Sequence, residues 1–303
     1  IHRCNLGIEN IALMSNASEA AKNNAMGELH FLKAYAYFLL VRAFGPIPVR
    51  DHTINSGQSD IHQPRQPIDS VYNYIIANLR KGEQMMYKNT DKDFSLGHAS
   101  AGAAASLLAK VYLTMASAAV PTGEKVIVRG GKAFEKVGGE KVYTHPVAIE
   151  HTKTQLAGYE NIDYKKYFAW ARDKAKEVID GKYGTYGLLS YDGLWAKGNR
   201  NTVEHIWSLQ TVSDDEIYGV SFGEGYVGLL GTVGEVYGLH HGMRDHWYKL
   251  FEPKDYRIVK GVMHRWQRYH AVEYKGGSYY PNTEEWKKKA QGYTDAGGNW
   301  VAP

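Results

Sequence analysis

The chain has 303 residues, 44% of them apolar and 22% charged, with a net charge of +4. A chain of this length buries about three-quarters of its unfolded surface, enough for one large or two modest domains. The charge forms no Lys/Arg stripe, which argues against a nucleic-acid partner, and the single cysteine, Cys4, excludes an internal disulfide and a cysteine-built metal cluster.

Taken in chain order, the first 120 residues read as helical. Cys4 reads as a small buried thiol. It is preceded only by Ile1, His2 and Arg3, so no signal peptide is visible and nothing marks it for lipidation. Asn23 and Asn24 are candidate N-caps, and from Met26 the residues Leu29, Leu32, Ala36, Leu39, Leu40 and Ala43 follow helical spacing. Phe31, Tyr35, Tyr37 and Phe38 fill the other faces, so this helix is expected to be covered nearly all round. The longest apolar run, residues 29–44, is too short to cross a bilayer and carries His30, Lys33 and Arg42; the chain reads as soluble. Gly45 followed by Pro46 is a stop signal.

Residues 51–66 form a polar loop. A second helix is expected from about Pro67, with Val71, Ile75, Leu79 and Met86 on one face. Residues 100–117, rich in Ala and Leu, suit close helix packing. Residues 126–152 carry Val-Ile-Val and glycine pairs and read as one or two β-hairpins. The basic stretch within them, residues 124–141, mixes five basic with three acidic residues, as a solvated hairpin does. A fourth helix is expected over about 163–179, before a turn at 180–184. Paired helices with small contact residues resemble helical-hairpin repeats of the tetratricopeptide type, without a strict 34-residue self-similarity.

Residues 218–280 differ in character. They hold 11 Tyr or Trp and 11 Gly, with helical spacing only near 246–251. Irregular aromatic loops of this kind carry function more often than scaffold. Tyr and Trp suit half-exposed recognition surfaces, although filling the rim of a core accounts for most of them. The run from Gly223 to Gly228 matches G-x-G-x-x-G, but Gly231, Gly234 and Gly238 would spoil the helix that a dinucleotide site needs. His240, His241 and His246 lack metal-site spacing, and Asp214, Asp215 and Glu216 lack the alternation of a calcium loop. Glu224 and Glu235 are carboxylates in the aromatic region, yet nothing pairs them as a glycosidase needs, and no G-x-S-x-G elbow occurs. A sugar ring packs its C–H face on an aromatic plane while its hydroxyls seek polar edges, so this region suits sugars; a protein interface fits the composition equally.

The run GELHFLKAYAYFLLVRAFGPIPV at residues 27–49 resembles the signature helix of the SusD/RagB family, roughly E-A-[RK]-F-L-R-A-x-x-Y-F-x-L-V-R-x-F-G-D-V-P-L. It departs at Leu29-His30, where the pattern has Ala-Arg, and at Pro46, where it has Asp. Residues 67–86 resemble the helix that follows, and SAGAAASLLAKVYL at 100–113 is similar to A-A-x-A-L-L-A-R-V-Y-L. NTVEHIWSLQ at 201–210 resembles the strand N-x-x-E-x-I-F-S-x-Q, and LFEPKDYR at 250–257 fits F-x-x-x-D-x-R. The resemblance spans about residues 5–260 and lacks the family's lipidated N-terminal cysteine and its C-terminal helical segment.

The resemblance implies a mainly α fold: a tetratricopeptide-like helical-hairpin scaffold, a long irregular insert region and a few short β-hairpins. One domain over 1–303 is expected, with 1–120 and 160–182 as scaffold, 121–159 as a hairpin insert and 183–303 as the aromatic-rich ligand region. It further implies non-catalytic glycan binding on the outer membrane, with delivery to a SusC-like TonB-dependent transporter and no cofactor, metal or nucleic acid. Membrane association is expected through an N-terminal lipid anchor that this chain does not contain. Family ligand sites on the loop after the signature helix point to Arg50, His52 and Asn55 as polar contacts. Tyr226, Tyr237, Trp247 and Trp266 are the stacking candidates. Peptide capture of the RagB kind, glycan hydrolysis and a purely structural interaction role are the alternatives.

Overall fold

The computed structural model describes residues 1–54, 61–132, 134–143 and 147–210. Beyond 210 it describes 229–230, 236–237, 245–252, 255–262, 265–266, 278–279, 281, 284, 288, 293–294 and 296–301. Two compact units emerge, one of residues 1–127 with 150–210 and the other of residues 128–149 with 211–303.

The first unit is built on five helices: α1 (His2–Leu13), α2 (Glu19–Phe44), α3 (Ile68–Met85), α4 (Ala101–Ala119) and α5 (Tyr164–Ile179). Each packs on the next in sequence, as helical hairpins do. Their starts follow capping chemistry: Ser18, Ser100 and Asp163 each accept a backbone N–H from the first turn of the helix they open. The start of α2 lies at Ser18, not at Asn23 or Asn24. Asn24 sits inside the helix, where its amide donates to Glu28 at 2.8 Å and accepts the Tyr87 N–H at 2.8 Å, tying α2 to the end of α3. Gly45 closes α2 as expected, at φ +68°, and its N–H returns to the Val41 carbonyl.

The core lies between α2, α3 and α4, where Phe31, Tyr37, Tyr72, Ile75, Leu79, Leu108 and Met115 are fully buried. Small residues set the crossing distance. A Cβ added to Gly82 would stand 3.2 Å from the Gly27 carbonyl oxygen and 3.5 Å from the Ala104 Cβ. α4 is long and apolar enough to cross a membrane by composition, but 61% of its apolar window is buried, and packing against α3 and α5 accounts for that composition. Tyr supplies much of the wall: Tyr72 and Tyr159 share a 3.1 Å hydroxyl bond, and Tyr112 packs against Tyr167 and Trp170. Cys4 is partly exposed on α1, and is not the buried thiol expected. Residues 201–210 form turns and bends up to 206 and an irregular segment after it, instead of the strand the resemblance implied. Asn201 takes φ +59°, and the side chains of Asn201, Ser208 and Gln210 bond to one another across the segment.

The hairpins lie where glycine pairs mark them. β1 (Lys125–Gly130) pairs with β4 (Val147–Thr152). Nested between them, β2 (Phe134–Val137) pairs antiparallel with β3 (Glu140–Tyr143) across the Gly138-Gly139 turn, at φ +60° and +91°. In the second unit the described ladders past residue 210 are two residues long, as in Leu229–Leu230 with Val236–Tyr237 and Arg265–Trp266 with Ser278–Tyr279. The helical spacing near 246–251 materialises as the single turn Asp245–Tyr248, and Asp255 caps a second short helix, Tyr256–Gly261.

Candidate functional site

The loop after α2 is anchored from three helices at once. Its base closes where the Gln66 N–H meets the Ile47 carbonyl at 2.9 Å. Within it, the Arg50 N–H donates to the Tyr37 hydroxyl at 2.7 Å. The Arg50 carbonyl accepts from the Tyr37 hydroxyl at 3.2 Å, the Tyr74 hydroxyl at 3.3 Å and the Asn5 amide at 3.3 Å. The same Asn5 amide donates to the His52 carbonyl at 2.8 Å, and the Thr53 N–H reaches the Glu9 carboxylate at 2.7 Å. Behind Asn5 stands Lys33, almost fully buried, whose ammonium donates to the Asn5 Oδ1 at 3.0 Å and lies 5.6 Å from the Tyr74 ring centre.

Electrostatics follow this geometry. Burial pushes the Lys33 ammonium below its ordinary pKa and the Tyr37 and Tyr74 hydroxyls above theirs. The Thr53 hydrogen bonds hold Glu9 low, and the His52 hydrogen bond, at 2.8 Å, holds Asp51 low. The backbone of residues 50–53 is therefore pinned. The side chain of His52 is exposed, and that of Arg50 is half-buried with a bond to the Ile61 carbonyl.

A groove of about 410 Å³ opens elsewhere on the first unit, lined by Phe31 and Tyr35 of α2, Ser106, Leu107 and Lys110 of α4, and Trp207. The Trp207 ring meets Phe31 edge-on at 4.9 Å and Tyr35 at 5.3 Å. Chemically this is an aromatic floor with a hydroxyl and an ammonium at its edge.

Of the residues expected from the sequence, Arg50 and His52 share the anchored loop. Trp247 lies in the second unit, 45% exposed, with its ring 4.9 Å from Phe251, over which the Arg257 guanidinium sits at 4.8 Å. Tyr237 and Trp266 fall in two-residue strands whose side chains are outside the described residues, and Asn55 and Tyr226 lie wholly outside them. So do Asp214, Asp215, Glu216, Glu224, Glu235, His240, His241 and the G-x-G-x-x-G run. Among the described residues no three His, Cys, Asp or Glu side chains gather as metal ligands.

Sequence reasoning missed the anchors Asn5, Lys33, Tyr37 and Tyr74 and the groove residues Phe31, Tyr35 and Trp207. Trp207 carried a signal as the aromatic position of the N-x-x-E-x-I-F-S-x-Q resemblance, and Phe31, Tyr35 and Tyr37 were read only as aromatics covering the faces of the signature helix.

Residues 1–113 match a family model named SusD-like and described as starch-binding associating with outer membrane. The SusD-like protein P2 of Formosa agariphila is 33% identical over 114 residues, 38% of this chain and 22% of that protein. A SusD-like protein of Bacteroides ovatus is 34% identical over 101 residues, 32% of this chain and 17% of that protein. The matched segments thus span about a fifth of the length of these relatives. Among solved structures, a SusD superfamily protein from Parabacteroides distasonis superposes with a TM-score of 0.59 at 22% identity, covering 94% of this chain and 50% of that one. One from Bacteroides fragilis gives 0.58 at 18%, covering 99% and 55%. A third, solved with a xylogluco-oligosaccharide, gives 0.50 at 22%, covering 78% and 39%.

Proposed function

We propose, on the premise that this chain is SusD-like over residues 1–113 and SusD-like in fold, that it captures glycans at a cell surface and does not cleave them. The observation that carries the proposal is the match of α1 to α4 to a family described by starch binding at the outer membrane. The structure of similar fold solved with a xylogluco-oligosaccharide makes such an oligosaccharide the first ligand to try. In this reading the chain is held at the outer membrane by a lipid anchor and passes its glycan to a SusC-like TonB-dependent transporter.

We assign two sets of candidate contacts, each within its own unit: Arg50, His52 and Asn55 as polar contacts on the anchored loop of the first, and Tyr226, Tyr237, Trp247 and Trp266 as stacking platforms in the second. The pinned backbone of residues 50–53 supports the first group, since a pre-ordered loop loses little entropy on binding. The exposed Trp247 supports the second. A dissociation constant near 1 mM needs only about 4 kcal/mol, which a few such contacts supply.

Calorimetric titration with xyloglucan oligosaccharides, malto-oligosaccharides and mixed oligopeptides tests this directly. Glycan binding is expected, with the oligosaccharide recovered whole by chromatography. Binding of peptides alone would move the chain to peptide capture, and recovery of shortened sugars would make it a hydrolase. Co-purification from native membranes tests the transporter.

A further inference from the structure

A second cavity, of about 230 Å³, lies in the first unit between the 94–98 loop, Tyr186 and the 201–208 turn. Pockets for drug-sized ligands run roughly 300–1,000 Å³, so this smaller one suits a single ring and not a chain. Its described lining contains no Asp, Glu, Lys or Arg. Phe94 and Trp207 contribute apolar walls; Asn89, Asn201, His205 and Tyr186 contribute polar groups, and so does His98, whose Nδ1 meets the Glu28 carboxylate at 2.9 Å.

The polar groups are fixed in direction and only partly used. Asn89 clamps the backbone of Thr185, its Nδ2 donating at 2.7 Å and its Oδ1 accepting at 2.9 Å. Asn201 and Gln210 form a reciprocal amide pair at 3.0 Å in each direction. An amide nitrogen carries two N–H groups, and each of these asparagines spends one, leaving one to give. Tyr186 and Ser100 share a hydroxyl bond at 2.9 Å. Among the described residues nothing bonds to the His205 ring, whose Nδ1 is buried without a partner. A buried N–H without an acceptor is rarer than an unsatisfied lone pair. That assigns the proton to Nε2 and makes His205 a donor as well.

The pocket therefore combines hydrogen-bond donors with aromatic rings, and the one ion-paired group in its described lining, His98, is already engaged by Glu28. We infer that it is a site for a single neutral pyranose or similar cyclic polyol. The hydroxyl oxygens of that ring accept from Asn89, Asn201 and His205, and its C–H face packs on Phe94 and Trp207. The inference deepens the glycan reading and rests on it for the choice of sugar. It gives the scaffold a place for one sugar residue, separate from the loop that meets a chain.

The test uses the whole chain with methyl α-glucoside, methyl β-xyloside and glucuronic acid, followed by saturation-transfer and ¹H–¹⁵N NMR. Both methyl glycosides are expected to bind in the millimolar range and glucuronic acid more weakly. His205→Phe, which fills the space and removes a donor, and Asn201→Gly, which keeps the left-handed backbone, should each weaken them about tenfold. His205→Gln, which retains an N–H, should restore part of the loss and guards against a folding artefact. Failure of the glycosides to bind wild type, tighter binding of the acid, or undiminished binding by His205→Phe overturns the inference. A parallel titration with xyloglucan oligosaccharide separates the two readings. If the oligosaccharide binds and the glycosides do not, the pocket fails and glycan capture stands. If His205-dependent glycoside binding persists without oligosaccharide binding, the pocket stands and glycan capture fails.

Discussion

The two units use the same aromatic residues to different ends. In the first, Tyr37, Tyr72, Tyr112 and Tyr159 are buried, and their hydroxyls meet a carbonyl, an arginine or one another. In the second, Trp247 and Tyr256 stand about half exposed on helices of one or two turns. Aromatic content by itself therefore does not mark a binding surface. A Tyr packed among the long helices becomes wall even when it comes from a loop, as Tyr159 does, whereas rings on the short helices of the second unit stay about half exposed.

The largest expected break in that contrast is Leu79→Ala, in the fully buried α2–α3–α4 core. It should cost about 3 kcal/mol in urea unfolding, whereas Val142→Ala in the exposed β3 strand should change stability by less than about 0.5 kcal/mol. Equal costs would mean that the helical unit is not the stability-bearing part. Next comes Asn5→Leu, which strands the buried Lys33 ammonium and frees the loop. A loss of about 2 kcal/mol is expected, with faster hydrogen exchange at the Arg50 and Thr53 amides. Adding Lys33→Met should recover most of the stability but not the exchange protection.

A pH series sharpens the picture at the α3–α5 junction. There Lys174 bonds Glu83 at 2.7 Å, Glu177 at 2.6 Å and Tyr183 at 2.9 Å. Burial works to raise Glu177, but hydrogen bonds from Lys174, Lys182 and Tyr183 outweigh it and bring the carboxyl down from 4.5 to about 2. Its contribution is thus complete above the unfolded pKa of 4.5 and disappears as pH falls through about 2. The melting temperatures of wild type and Glu177→Gln should converge over that window, and a gap unchanged down to pH 2 contradicts it. The smallest effect on stability belongs to Trp247→Ala, under about 0.5 kcal/mol, while oligosaccharide affinity should fall several-fold. An unchanged affinity removes Trp247 from the site.

Much of the scaffold was legible because its cues are local. Helical spacing located α2 to α5, and Gly45 with Pro46 ended α2 where expected. At its start the sequence pointed to Asn23 and Asn24, but Ser18 had the free N–H groups of the first turn within reach, and Asn24 was drawn to Tyr87. The expected strand at 201–210 failed because a ladder needs a partner strand, and side-chain bonds from Asn201 to Gln210 closed the segment on itself instead. The site was less legible for the same reason. Arg50 and His52 could be named from their place after α2, but what holds them comes from Asn5, 45 and 47 residues away. Contacts at such separations leave no periodic trace.

The three-donor hub on residue 50 has a consequence for how such a loop changes over generations. Because the acceptor is a main-chain oxygen, replacing the arginine leaves the fastening from Tyr37, Tyr74 and Asn5 in place. Proline is the exception, for it deletes the N–H that Tyr37 receives. Position 50 can thus take new side chains with the backbone frame around it held still.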